Sequence, residues 1–174
     1  MNPDKTGDDL PQRLFTLTLI WASLTISVGF YALVLYLLDG NGALPMAALD
    51  GESTTSVTLA LLVTAAIGGS SVFTLPGLLM KPETLRARFR AKGIDPASLD
   101  RDRLATALFP QYQAIGIVRW AMGESVGLMG LVAALLTGLG PLPYGLLGAS
   151  AALLVVTRPS RAGLDALVTA VRGI

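Results

Sequence analysis

Glu124 is the residue best placed to do chemistry in this chain. It lies inside "RWAMGESVGLMGL", residues 119–131, and the apolar run continues through "VAALLTGLGPLP". Arg119 precedes it by five positions, about 7.5 Å along a helix axis. A carboxylate turned to lipid at that depth costs roughly 3 kcal/mol on insertion scales. Glu124 must therefore face protein, be neutral, or be paired. Three readings follow. The carboxyl can hydrogen-bond a neighbouring helix, through Ser70 or Ser71, or meet Arg119 by side-chain bending. Direct pairing with Arg119 is geometrically poor, because good helical pairs are three or four residues apart. It can serve as a proton or ion site, since burial favours the neutral carboxyl. It can also mark the contact with an assembly partner. Arg119 itself can snorkel to the membrane surface. Trp120 suits the same level, so both read as interfacial anchors.

Most other chemistry is excluded by composition. The chain has no cysteine and no histidine, which removes thiolate metal sites, disulfides, Cys nucleophiles and His bases. Ser70 and Ser71 follow Gly68 and Gly69, but no base accompanies them, so a serine hydrolase is not expected. There is no phosphate loop and no metal-ligand spacing. The sequence predicts a non-enzymatic protein with no cofactor and no metal. Of 174 residues, 52% are hydrophobic and only 14% charged, against about 25% charged in a soluble domain. A net charge of +1 argues against nucleic acid as a partner and leaves the lipid bilayer as the expected surroundings.

The elements that position Glu124 follow from hydropathy. Crossing the hydrocarbon core takes about 20 apolar residues. Spans are predicted at residues 14–38, 56–80, 115–138 and, shorter, 142–157. The leader "MNPDKTGDDLPQRLF" lacks the basic n-region of a cleaved signal. Segment 39–55 carries Asp39, Asp50 and Glu52 and no basic residue. Segment 81–110 carries Lys81, Arg86, Arg88, Arg90, Lys92, Arg101 and Arg103. Arg158, Arg161 and Arg172 follow the last span, and Lys5 and Arg13 precede the first. Four spans put every basic residue except Arg119 on one side. The positive-inside rule makes that side cytoplasmic, with both termini there. The expected fold is therefore a single all-α membrane domain over 1–174, with an amphipathic cytoplasmic loop at 81–110 and an amphipathic tail helix within 158–174. In the loop, Leu85 and Phe89 are expected to face the membrane, a second helix starts near Asp95, and Pro110 limits it.

Small residues predict the packing. Gly116, Gly123, Gly127, Gly130 and Ala134 share one face of the third span, and Gly123 with Gly127 forms a GxxxG pair. Gly68 and Gly69 offer small-xxx-small contacts in the second span. The hydroxyls of Thr16, Thr18, Ser23, Thr25 and Ser27 can bond their own backbone. The uncharged turn around Gly138–Pro143 predicts an antiparallel hairpin.

Residues 124–136, "ESVGLMGLVAALL", resemble the glutamate helix of the proteolipid (c) subunit of rotary ATP synthases. That resemblance implies an ion-carrying role for Glu124 alone. The second half of the chain also resembles small four-span bacterial membrane proteins, with an arginine at the membrane surface, a glutamate five residues on, a Gly/Pro turn and a short last helix ending in "RPS". This resemblance implies residence in the bacterial inner membrane and no activity. The leading expectation is a small accessory or assembly subunit, alone as a homo-oligomer or within a larger membrane complex. The alternative is an oligomeric, ion-handling proteolipid-like protein.

Overall fold

The structure, a computed structural model, describes residues 9–40 and 51–173. The expectations for Lys5, Asp50 and most of the leader fall outside these residues. All regular structure among the described residues is α-helical: α1 (Asp9–Gly40), α2 (Gly51–Leu79), α3 (Pro82–Ala91), α4 (Arg101–Thr137), α5 (Pro141–Val156) and α6 (Arg161–Arg172). Three of these helices, α1, the α2 segment and α4, are long and apolar enough to cross a membrane. α5 has 16 residues, about 24 Å, which is shorter than a hydrocarbon core of about 30 Å.

α4 is the hub of the molecule. It packs along α5, and α1 and α2 also lie against this hairpin. α1 meets it through a narrow seam of Leu17, Trp21, Leu24, Val28, Tyr31 and Leu35, all buried or packed on the core. Their spacing alternates four and three, the period that keeps one stripe of a helix facing a neighbour. Outside the seam the helix is apolar and exposed, as at Phe15, Ile26, Phe30 and Tyr36. α2 shows the same pattern, with Ala65 and Val72 buried and Leu59, Ile67, Phe73 and Leu78 exposed. A helix apolar all round, with only one stripe in contact with protein, is matched to an apolar solvent.

The α4–α5 hairpin turns at Gly138, whose φ of 83° lies in the region glycine occupies without strain. Pro141 and Pro143 then sit in the first turn of α5, where missing amide protons cost nothing.

The described part of segment 81–110 differs from expectation. α4 does not begin near residue 115; it starts at Arg101 and runs unbroken through Pro110 for 37 residues, about 55 Å. Pro110 is exposed, while Leu104, Ala105, Leu108 and Phe109 before it and Ile115 after it are buried. Packing on both sides holds the helix through the one hydrogen bond that proline removes. α3 and α6 also differ from surface helices lying on lipid. Leu85 is 2% exposed and Leu164, Val168 and Val171 are each 1% exposed. Phe89 and Leu167 pack against the same core. The apolar faces of both helices are thus turned to protein, not to the membrane. Arg86 fixes the arrangement: its Nε and Nη2 donate to the carbonyls of Val171 and Ala170 at 2.8 and 2.6 Å, capping the end of α6. An exposed Arg101–Asp165 ion pair of 3.3 Å joins α4 to α6.

The start of α1 belongs to this same end, since Leu10, Pro11 and Leu14 share a cleft with Asp102, Thr106 and Arg161.

Candidate functional site

Glu124 lies on the side of α4 that meets α1. Its Oε1 accepts a short hydrogen bond from Ser27 Oγ and a second, 2.9 Å long, from Tyr31 OH. Ser27 and Tyr31 are four apart on α1, one helical turn, so both hydroxyls reach the same oxygen. Ser27 Oγ also lies 2.7 Å from the Leu24 carbonyl. A hydroxyl has one proton to give, so it serves one of these two acceptors at a time.

The partners suggested for Glu124 from the sequence are elsewhere. Ser70 and Ser71 turn back onto their own helix, donating to the Ile67 carbonyl at 3.0 and 2.7 Å. α2 meets α4 through Gly68, which lies against Ser125, Val126 and Met122, and this leaves Glu124 to the α1 side. The hydroxyls of Thr16, Thr18, Ser23, Thr25 and Ser27 do each bond a carbonyl three or four residues back. Ser27 alone of these also has the carboxyl within reach.

Arg119 does not approach Glu124 either. Its Nε donates to the Val72 carbonyl of α2 at 2.9 Å. In a regular helix that carbonyl would accept from the amide of residue 76, which is Pro76. Proline has no amide proton, so the guanidinium fills the gap from a neighbouring helix. Such repair is what a proline inside an apolar environment requires.

Trp120 follows the same logic. The sequence reading makes it an interfacial anchor. The structure places its indole inside protein, 2% exposed, with Nε1 donating to the Thr157 carbonyl at 2.8 Å. Trp21 of α1 donates to the Leu154 carbonyl at 2.8 Å. Both carbonyls lie at the C-terminal end of α5. The Arg158 amide bonds Val155 rather than Leu154, so Leu154 lacks its helical partner. Two tryptophans on two other helices thus satisfy the orphan acceptors at that end.

The glycines set the helix separation. A Cβ at Gly123 would stand 3.4 Å from Leu154. At Gly127 it would stand 2.9 Å from Ser150 Oγ, and at Gly130 2.8 Å from the Pro143 carbonyl oxygen. All three therefore face α5. Gly116 on the same stripe is instead covered by the Trp120 ring of its own helix. Ser150, fully buried, uses the close approach to donate to the Gly123 carbonyl at 2.7 Å. Gly69 contacts Leu153 of α5.

Ser27, Tyr31, Trp21, Val72 and Pro76 were not singled out as site residues by the sequence. One signal for the first two is local: Ser27 and Tyr31 sit one turn apart on the four-three stripe of α1 or beside it.

Among the described residues no group of acidic side chains could hold a metal ion. Fold and site together define an all-α chain with helices long and apolar enough for a membrane and a hydrogen-bonded carboxyl between two of them. Comparison with known families, curated proteins and solved structures found no match.

Proposed function

We propose that this chain is a non-enzymatic, multi-pass protein of the bacterial inner membrane. It spans four times, with both termini cytoplasmic, and acts as a small accessory or assembly subunit. The supporting observation is the double hydrogen bond from Ser27 and Tyr31 to one oxygen of Glu124. That pairing makes Glu124 a fixed polar joint between α1 and α4. Buried polar groups are expensive in lipid and need such partners. The clustering of Arg13, the 81–103 basic residues and Arg158–Arg172 with α3, α6 and the start of α4 supports the orientation. The exposed apolar faces of α1 and α2 are where a membrane partner or a second copy would seat. Affinity purification from native membranes in mild detergent tests this. The reading expects a constant partner or a defined homo-oligomer; a chain that always purifies alone as a monomer contradicts it.

A second reading retains one observation in its favour. Glu124 Oε2 accepts no hydrogen bond among the described residues, so an acceptor remains for a proton or cation. An oligomeric ion-handling protein would then show carbodiimide labelling of Glu124 and ion flux in liposomes that Glu124→Gln abolishes. Unlabelled Glu124 and no flux from purified oligomer contradict it.

A further inference from the structure

The strongest unassigned feature is a cleft of about 270 Å³ where the apolar parts of α2, α4 and α5 end and α6 begins. Arg119 and Arg158 line it, and no carboxylate does. Its other polar groups are already engaged. Tyr112 OH donates to the Ser160 carbonyl at 3.0 Å and accepts from the Ser160 amide at 3.3 Å. Thr157 Oγ1 donates to the Leu153 carbonyl at 2.7 Å. The donors left over are the Ser160 hydroxyl, which only accepts, from the Gly163 amide, the two terminal nitrogens of Arg119 and the whole guanidinium of Arg158; neither arginine is in an ion pair among the described residues. Arg119 is held in place by its Nε bond to Val72, so its remaining donors are preorganised. One held guanidinium and a second, exposed one, with no carboxylate among the described lining residues, suit a phosphate, which guanidinium forks bind in a bidentate way.

A second feature adjoins the first. A shallow apolar groove of about 520 Å³ runs between α2 and α5, floored by Ala66, Gly69, Ala149 and Ala152. Val156 lines both the groove and the arginine cleft, so the two are neighbours on the surface. Small residues on facing helices leave this groove open to the surroundings, with an apolar lining that suits a hydrocarbon chain. The charged end lies on the side where the basic residues gather, the leaflet where anionic headgroups attract them.

We propose that this composite site binds one anionic phospholipid, with the headgroup phosphate between Arg119 and Arg158 and an acyl chain in the α2–α5 groove. The proposal rests on the membrane-spanning reading and not on any role for Glu124.

The test uses the full chain in nanodiscs of phosphatidylcholine doped with phosphatidylglycerol, with bound lipid counted by native mass spectrometry after release. Wild type is expected to retain about one phosphatidylglycerol in preference to phosphatidylcholine. Arg158→Gln, which leaves the Val72 contact intact, should weaken retention roughly tenfold, the loss of one charge-assisted interaction. Ala152→Phe, which blocks the groove without altering charge, should weaken it as well. Equal retention of both lipids, or unchanged retention in Arg158→Gln, overturns the proposal. So does displacement of the lipid by millimolar inorganic phosphate with Ala152→Phe behaving as wild type, which would assign the cleft to a free anion. A chain that never enters the nanodisc refutes the membrane-spanning reading itself, and so is told apart from these outcomes.

Discussion

Arg119 donates to Val72 across 2.9 Å, and Val72 is the residue whose carbonyl Pro76 cannot serve. A proline in α2 and an arginine in α4 therefore form one unit, although 43 positions separate them in the sequence. The proline opens an acceptor and the arginine closes it. This ties α2 to the hub with a charge-assisted hydrogen bond as well as with the Gly68 contact.

That unit makes a cycle of substitutions informative. Arg119→Leu should destabilise the protein by about 1–3 kcal/mol, the range for a lost bond to a charged group with its partner left unpaired. In a Pro76→Ala background the helix supplies its own amide to Val72. The same Arg119→Leu change should then cost distinctly less. Unfolding in a lipid–detergent mixture reads both numbers, and equal costs in the two backgrounds would refute the coupling.

The glycine stripe predicts a graded response. At Gly130 an added methyl meets the Pro143 backbone at 2.8 Å, and at Gly127 it meets the Ser150 side chain at 2.9 Å. Backbone cannot turn aside, so Gly130→Ala should be the more damaging, by about 1–3 kcal/mol. Gly148, with nothing within 4 Å of its Cβ position, is the control. Gly148→Ala should be neutral or stabilising by up to about 1 kcal/mol, from helix propensity alone. Thermal stability of the three variants checks the order.

Helices α3 and α6 predict a different readout. Arg86 caps α6 with two bonds to its last carbonyls, one of 2.6 Å, whereas the Arg101–Asp165 pair is exposed on the arginine side. Arg86→Met should loosen α6 and speed proteolysis within residues 161–172 several-fold. Arg101→Gln should change it little, because exposed ion pairs contribute about 0–1 kcal/mol. Equal sensitivity in the two variants would contradict this difference.

Much of the architecture could be read from hydropathy, because long apolar runs report directly on helices such as α1 and α2. The Gly138 turn was legible for a similar reason, since an uncharged Gly/Pro segment between two apolar runs leaves few alternatives. α4 was not legible at its start: Pro110 reads as a stop, and only the burial of Leu104, Leu108 and Phe109 on partners far away in sequence carries the helix through it. The amphipathic pattern of α6 was visible, but a pattern does not say what covers the apolar face. In this fold it is covered by protein. The partners of Glu124 lay beyond reach in the same way. Ser27 and Tyr31 are 97 and 93 residues away, and pairing at that distance is decided by how α1 docks on α4.

The most direct measurement compares the unfolding stability of wild type, Glu124→Gln and Glu124→Ala in one lipid–detergent mixture. The amide oxygen of Gln can still accept from Ser27 and Tyr31, so a structural joint predicts a change within about 0.5 kcal/mol for Glu124→Gln. Alanine leaves the Tyr31 hydroxyl without its acceptor and returns Ser27 to the Leu24 carbonyl, which removes both bonds between α1 and α4 and should cost about 1–2 kcal/mol. Full wild-type stability in both variants would contradict Glu124 as the joint between α1 and α4.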